Sequence, residues 1–430
     1  MFQVISWTVW TGHGRVSTFG DPPLRFITVT GDREAMGSQF KFIHCADLHL
    51  GSRFKGVSSS DPELGRAMRE STWVSLGRIV DLAVSERVSA VVISGDVYDD
   101  ENALPSTRMR FTRELARIPA PVFIARGNHD SATSWDSAVP YPSNVHEFGP
   151  EPCRYAVGSG PGSFDVVGVS FSVPHEGRNL ASMLSGDPDR FTVACVHCDV
   201  DSVSEGYPYA PCRMSDLRGR GVDYWALGHI HRRQVVSESP YAVYPGNIQG
   251  RSVRETGEKG AYLVTVTDGR VSELRFVPTQ GMVWRDLEVD ITGRDMQSLA
   301  ADVSSSVLPG DICRLRFTGS GDLDAVLRTE TGDAVAALSS ASGCTVASVV
   351  LGCSPSVELP PAGGPDILSR AVGCGEDLRD SDVGAILDAV CANGMAARHR
   401  VLLSSLGEEG IRGMVDDAVR LLAVHLGAGR

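Results

Sequence analysis

The sequence predicts an α/β fold in which a two-sheet core is flanked by helices, followed by a smaller α+β unit and C-terminal helices. Three observations carry this. From Phe40 to about Phe276, apolar runs alternate with amphipathic helical stretches, which implies sheets with helices on their faces. From Phe164 onward that span is richer in strands with short connections, which favours two sheets over one purely parallel sheet. Beyond Val277 the order becomes strand, helix, strand, helix, strand, and the chain closes on a helical tail.

Composition bounds the possibilities. At 430 residues the chain is long enough for two or three domains. A hydrophobic content of 42% and a charged content of 22% are those of a globular protein in water. No apolar run approaches the roughly 20 residues that cross a bilayer, and the opening residues lack the pattern of a secretory signal. A cytoplasmic location with no membrane partner is therefore expected, and the ten cysteines are expected to be reduced. Cys195 and Cys198 read as strand residues flanking His197 rather than as a redox pair. A net charge of −13 argues against gripping nucleic acid by bulk electrostatics. An anionic substrate would need local positive charge or metal.

In chain order, residues 1–38 mix Gly, Pro, Thr and Trp without a sustained period. They are expected to be a disordered or misassigned N-terminal extension, with Met36 a plausible true start. A first domain is expected over 39–278. It opens with a strand at Phe40–Cys45, then a helix whose buried face holds Met68, Trp73, Leu76, Ile79, Val80 and Ala83. Next come a strand at Ala90–Ile93, a helix from Ser106 to Ile118 behind Pro105, and a strand at Pro121–Ala125. Phe164–Phe171, Phe191–Val196 and Tyr224–Leu227 read as further strands. A second domain over 279–353 has strands at Val283–Ile291, Ile312–Phe317 and Cys344–Leu351, and helices at Asp295–Val307 and Leu323–Leu338. The remainder, 354–430, is a Pro/Gly-rich joint and a helical region in which Ile411, Val415, Ala418, Leu422 and Leu426 share one face.

The polar groups sit where the strands end. FKFIHCADLHLG presents Asp47 and His49, SGDVYDD presents Asp96 and Asp99, and RGNHD presents Asn128, His129 and Asp130. His197 follows the strand before it, and GHIH supplies His229 and His231. In open α/β sheets, ligands bind beyond the carboxyl ends of the strands. Taken singly, each has an ordinary explanation: Gly-Asp is a turn, a lone His is a satisfied interior residue, and Asn128 after Gly127 holds a left-handed turn. Recurrence at five strand ends points instead to shared cations. Cations held close together need a shared anionic ligand. Imidazole, carboxylate and amide oxygens suit manganese, iron or zinc better than calcium.

In family order, DLH, GDVYD, GNHD, VHC and GHIH resemble the motifs of the calcineurin-like metallophosphoesterases. The resemblance implies that family's four-layer β-sandwich flanked by helices. It also implies two divalent metal ions, with Mn2+ the ion the family points to. One would be held by Asp47, His49, Asp96 and His231, the other by Asp96, Asn128, His197 and His229, with Asp96 bridging. His129 would act on the phosphate or the leaving oxygen, oriented by a hydrogen bond that Asp99 accepts. The protein Ser/Thr phosphatase branch is disfavoured, because Asp100 and Asp130 stand where it carries Arg and Glu. FIHCADLHLGS, ARGNHDS, ALGHIHRR and YPGNIQGR are instead similar to bacterial DNA repair exonucleases of the SbcD and YhaO type.

That branch implies a DNA exonuclease or endonuclease subunit acting in double-strand-break repair. Arg232, Arg233, Arg251, Arg254 and Lys259 would bind phosphates beside the cut. The second domain would be a cap that positions DNA. The C-terminal helices would dock on an SMC-like ATPase of the SbcC/YhaN type, and the nuclease domain would pair into a homodimer. Two other readings stand beside it: a phosphodiesterase for nucleotides or other small phosphoesters, and a noncatalytic scaffold. On the residues alone, the C-terminal helix serves equally well by packing on its own chain.

Overall fold

The computed structural model describes residues 24–27, 39–52, 62–99, 104–132, 139–201, 208–356, 359–391 and 403–425. The chain divides into two compact units, Met1–Trp284 and Arg285–Arg430.

In the first unit the described strands are β1 (Leu24–Ile27), β2 (Phe40–Cys45), β3 (Ala90–Ser94), β4 (Val122–Ala125), β5 (Val145–Glu147), β6 (Cys153–Val157) and β7 (Phe164–Gly168). They continue with β8 (Thr192–His197), β9 (Tyr224–Gly228), β10 (Gln234–Glu238), β11 (Tyr241–Tyr244), β12 (Gly260–Thr267) and β13 (Arg270–Pro278). One sheet runs β13-β12-β2-β3-β4-β5 and the other β1-β6-β7-β8-β9-β11-β10. Helices α1 (Pro62–Ser85) and α2 (Pro105–Leu115) supply Trp73, Leu76, Ile79, Val80, Phe111 and Leu115 to the outer face of the first sheet.

Alternation along each strand builds the layers. On β2, Phe40 and Phe42 point between the sheets while Ile43 and Cys45 face the helices. On β8, Val193 and Cys195 point between the sheets, and Ala194 and Val196 face a third cluster with Leu180, Leu184 and Leu217. Phe40 stacks on Phe164 across the gap with ring centroids 4.2 Å apart. The architecture is thus mixed α/β, two sheets flanked by helices.

β12 and β13 form an antiparallel hairpin, and β12 also runs antiparallel to β2 from Tyr262 opposite His44 to Val266 opposite Phe40. Of the segment expected to be disordered or misassigned, Leu24–Ile27 is a strand in parallel register with β6. The rest of residues 1–38 lies outside the described residues.

In the second unit β14 (Trp284–Asp290), β15 (Ile312–Thr318) and β16 (Thr345–Leu351) form a three-stranded sheet in that order. Helices α3 (Met296–Ser306), α4 (Leu323–Thr329) and α5 (Thr331–Ser342) pack Leu299, Val303, Leu327 and Leu338 with Leu315 and Phe317 of β15. The single helix expected over Leu323–Leu338 is corrected to two, broken at Glu330, whose backbone leaves helical geometry at φ −125° and ψ 37°. The flanking Thr329 and Thr331 hydroxyls bond back to the Ala325 and Leu327 carbonyls, which loosens the helical ladder there. Helices α6 (Ile367–Arg379), α7 (Val383–Cys391) and α8 (Gly407–His425) follow; Ile411 and Val415 of α8 are buried with Ile386 and Leu387 of α7. Among the described residues, no helix is long and apolar enough to cross a membrane.

Candidate metal centre

Sheet order decides what meets. β2, β3 and β4 are parallel neighbours in one sheet, and β8 and β9 are parallel neighbours in the other. Their carboxyl ends are laced together: Ser94 Oγ donates to the Ala226 carbonyl at 2.8 Å, and His197 Nδ1 lies 2.9 Å from the Ser94 carbonyl. Five strand ends from distant parts of the chain therefore open on one place.

The backbone there is strained. Asp47, His49, Asp96 and His229 hold left-handed φ values of 53°, 44°, 52° and 106°. Such values are uncommon for residues with a Cβ, and they cluster where function over-determines geometry. Two glycines are required by close approach. A Cβ at Gly127 would collide with Asp96 Oδ1, and one at Gly228 would collide with the Ser94 carbonyl and the His197 ring. Neither Gly127 nor Asn128 has the left-handed φ that the turn explanation requires.

Two of the donor groups around these loops share Asp47, one with His49 and His231 and the other with Asp96 and His197; a third joins His49, Asp99 and His129. Asp96 Oδ2 lies 3.8 Å from His49 Nε2 and 3.5 Å from His197 Nε2, between the two groups. Asn128 Oδ1 is 3.0 Å from His197 Nε2. The His229 ring lies 5.2 Å from that of His197, and its backbone N–H donates to Asp47. Asp47 thus takes part in both groups, although it was expected with only one cation.

The donor chemistry fits a cation. His49 Nδ1 faces Asp99 Oδ1 at 2.6 Å and His231 Nδ1 faces Glu255 Oε1 at 2.7 Å. A carboxylate only accepts, so each Nδ1 carries the proton and each Nε2 presents a lone pair. Those two Nε2 atoms lie 3.1 Å apart. Two facing lone pairs repel, whereas ligands on one cation with metal–nitrogen bonds of about 2.0–2.1 Å stand at about this separation.

For His49 and His229 electrostatics favour the neutral ring, whereas at His197 burial is outweighed by Asp96 and Asp47, which raise it. Burial lowers His49 to about 4, with Arg251 adding to the effect, so its ring is neutral near pH 7. Burial and the neighbouring His197 lower His229 to about 3. Burial raises Asp96, but His197, His49 and His129 outweigh it and hold the carboxylate well below its ordinary range. Asp130 is pushed up to about 7 by burial and the Asp96 charge; it accepts from Val97 N–H at 2.8 Å and Gly127 N–H at 2.7 Å and braces two of the loops.

The remaining expected residues divide. His129 is half-exposed; its N–H donates to Asp96 Oδ1 at 3.0 Å, and its Nδ1 lies 3.3 Å from Asp99 Oδ1. Asp99 is closer to His49 and also meets Arg251 Nη1 at 3.2 Å, so it is shared among three partners. Lys259, expected to contact DNA, is instead buried, and its ammonium donates to the His231 carbonyl at 3.0 Å. It steadies the GHIH turn. Arg232, Arg233 and Arg254 are exposed, and Arg233 lies over the Phe276 ring at 3.8 Å.

Glu255 and His44 were not singled out by sequence reasoning, and Asp130 was named only as part of the GNHD motif, without its bracing role. His44 lies in the buried centre of β2, with Nε2 3.1 Å from the Leu227 carbonyl and Nδ1 3.1 Å from Tyr224 Oη, and joins the two sheets just below the site.

Residues 40–233 match the family model of the calcineurin-like phosphoesterases, and this part of the chain is a calcineurin-like metallophosphoesterase domain. The chain is 36% identical over 266 residues to the uncharacterised metallophosphoesterase YhaO of Bacillus subtilis, covering 60% of this chain and 64% of that protein. It is 29% identical over 273 residues to the DNA double-strand break repair protein Mre11 of Aeropyrum pernix, covering 58% and 64%. To the SbcD component of the Escherichia coli nuclease SbcCD it is 23% identical over 277 residues, covering 54% and 67%. The chain thus spans less than two thirds of the length of the first two relatives.

Proposed function

We propose that this metallophosphoesterase is a two-metal-dependent DNA phosphodiesterase, an exonuclease or endonuclease subunit acting in double-strand-break processing. The observation that carries the hydrolytic part is the pair of imidazole Nε2 atoms facing each other at 3.1 Å, each with its other nitrogen tied to a carboxylate. Asp47, His49, Asp96 and His231 would hold one cation and Asp96, Asn128, His197 and His229 the other, with Asp47 close to both. Divalent ions bound there would supply Lewis acidity and charge neutralisation at phosphorus; manganese is the ion proposed. His129, half-exposed beside Asp99, is placed to hold or give a proton at the leaving oxygen. Arg232, Arg233 and Arg254 are exposed basic groups available to flanking phosphates.

The DNA assignment is supported by the relatives, of which Mre11 is a DNA double-strand break repair protein and SbcCD a nuclease. An SMC-like ATPase bound through the C-terminal helices, a homodimer and a cytoplasmic location belong to the same proposal. A specific observation favours the second reading, small phosphoesters: of the five basic residues expected at DNA, Lys259 is buried, Arg251 is tied to Asp99 and Arg233 lies on Phe276. Incubating the protein with manganese, end-labelled duplex DNA and a small chromogenic diester separates the two. Cleavage of both fits the nuclease. Cleavage of the diester alone selects the small-phosphoester reading, and cleavage of neither rejects both.

A further inference from the structure

Glu255 lies in the stretch between β11 and β12, YPGNIQGRSVRETGEKG, to which the hydrolytic reading gives no part beyond basic charge. Three hydrogen bonds fix its carboxylate. Oε1 accepts from His231 Nδ1 at 2.7 Å, while Oε2 accepts from Asn247 Nδ2 at 2.8 Å and from the Arg251 N–H at 2.7 Å. Asn247 is itself held, fully buried, by a bond to the Gln249 carbonyl and an isolated bridge to Ala46, next to Asp47. The loop therefore presents one oxygen at a fixed place behind His231.

We propose that Glu255 is a positioning residue for the cation held by Asp47, His49 and His231. By accepting the Nδ1 proton of His231, it fixes the tautomer that leaves Nε2 free as a ligand and aims that lone pair toward His49. This rests on the metal-centre reading and extends it. A neutral imidazole has one proton, and the acceptor behind the ring decides which nitrogen carries it. His197 has the Ser94 carbonyl behind its Nδ1 and His49 has Asp99. His231 sits on a turn whose own residues supply no such acceptor among the described contacts, and the β11–β12 stretch brings one.

The substitution Glu255→Gln separates orientation from simple loop support. Asn247 Nδ2 and the Arg251 N–H both need an acceptor, so the amide oxygen takes the place of Oε2 and the amide N–H2 turns toward His231. Nδ1 must then accept, the proton moves to Nε2, and ligation is blocked while the loop keeps its shape. Three measurements follow: manganese titration by calorimetry, long-range 15N–1H spectra of the metal-free histidines, and the urea midpoint of the metal-free protein.

The expected result is two manganese ions bound by the unsubstituted chain and an affinity at one site lowered roughly 10- to 100-fold in the variant. The His231 tautomer should switch from Nδ1–H to Nε2–H with the urea midpoint unchanged. Equal manganese affinity, or an unsubstituted chain whose His231 already carries Nε2–H, overturns the proposal. If the variant does not fold, the tautomer of the unsubstituted chain decides. An unsubstituted chain that binds no manganese yet shows Nδ1–H at His231 sinks the metal reading and leaves the Glu255–His231 pair standing.

Discussion

At the scale of single residues, neighbouring side chains have separable jobs. His129 touches the centre through its backbone N–H on Asp96 while its ring stays half-exposed beside Asp99. His129→Ala is expected to lower turnover of a small diester by roughly 10²- to 10⁴-fold with manganese content near normal; metal analysis alongside the assay checks this, and loss of both ions would reject the role. His44 shows the opposite case, a histidine with a purely structural part. Its Nε2–H donates to the Leu227 carbonyl, so Nδ1 accepts from Tyr224, and burial pushes the ring down to about 3 from an ordinary 6.5, the Leu227 bond opposing.

Between those values the unfolded chain binds the extra proton. The stability contributed by neutral His44 is therefore full above about pH 6.5 and drains away as pH falls toward 3. Urea unfolding of the metal-free His44→Phe variant should show an acid limb flatter by up to about 1.4 kcal/mol per pH unit. An unchanged limb would mean that the ring is not the titrating group. Asp47, His49, Asp96, Asn128, His197, His229 and His231 were legible in the sequence because strand-end motifs mark them one by one. Glu255 and His44 were not. A Glu in a basic loop and a His inside an apolar strand acquire meaning only from partners 24 and 183 residues away.

At the scale of elements, the β12–β13 hairpin went unread, although its turn residues mark it. Asp268 and Gly269 both hold left-handed φ, 51° and 72°, the arrangement that a two-residue hairpin turn demands and that Asp-Gly favours. Gly269→Ala should destabilise the first unit by roughly 1–2 kcal/mol, seen as a lowered urea midpoint with manganese affinity retained, because the turn is remote from the strand ends. Strands with long apolar runs, such as β2, β3, β8 and β9, were located to within a residue or so. Helices α4 and α5 were read as one because their apolar spacing is continuous. The break at Glu330 comes from Thr hydroxyls competing for the backbone, which spacing alone does not register.

At the scale of the whole molecule, every group of the metal centre lies within Met1–Trp284, and the Arg285–Arg430 unit has a hydrophobic cluster of its own. A chain ending at Trp284 is expected to bind manganese and cleave a small diester as the full chain does; loss of binding on truncation would overturn that independence. For both chains, manganese at about 100 times its dissociation constant should add about 3 kcal/mol of stability, and Asp96→Ala should abolish most of that gain.

The four left-handed residues around the centre bear on how ions enter. Backbone wound that tightly by its neighbours leaves little for the loops to rearrange as ions bind, so loading should show no slow phase of chain rearrangement, each ion's step being set by shedding of its own water.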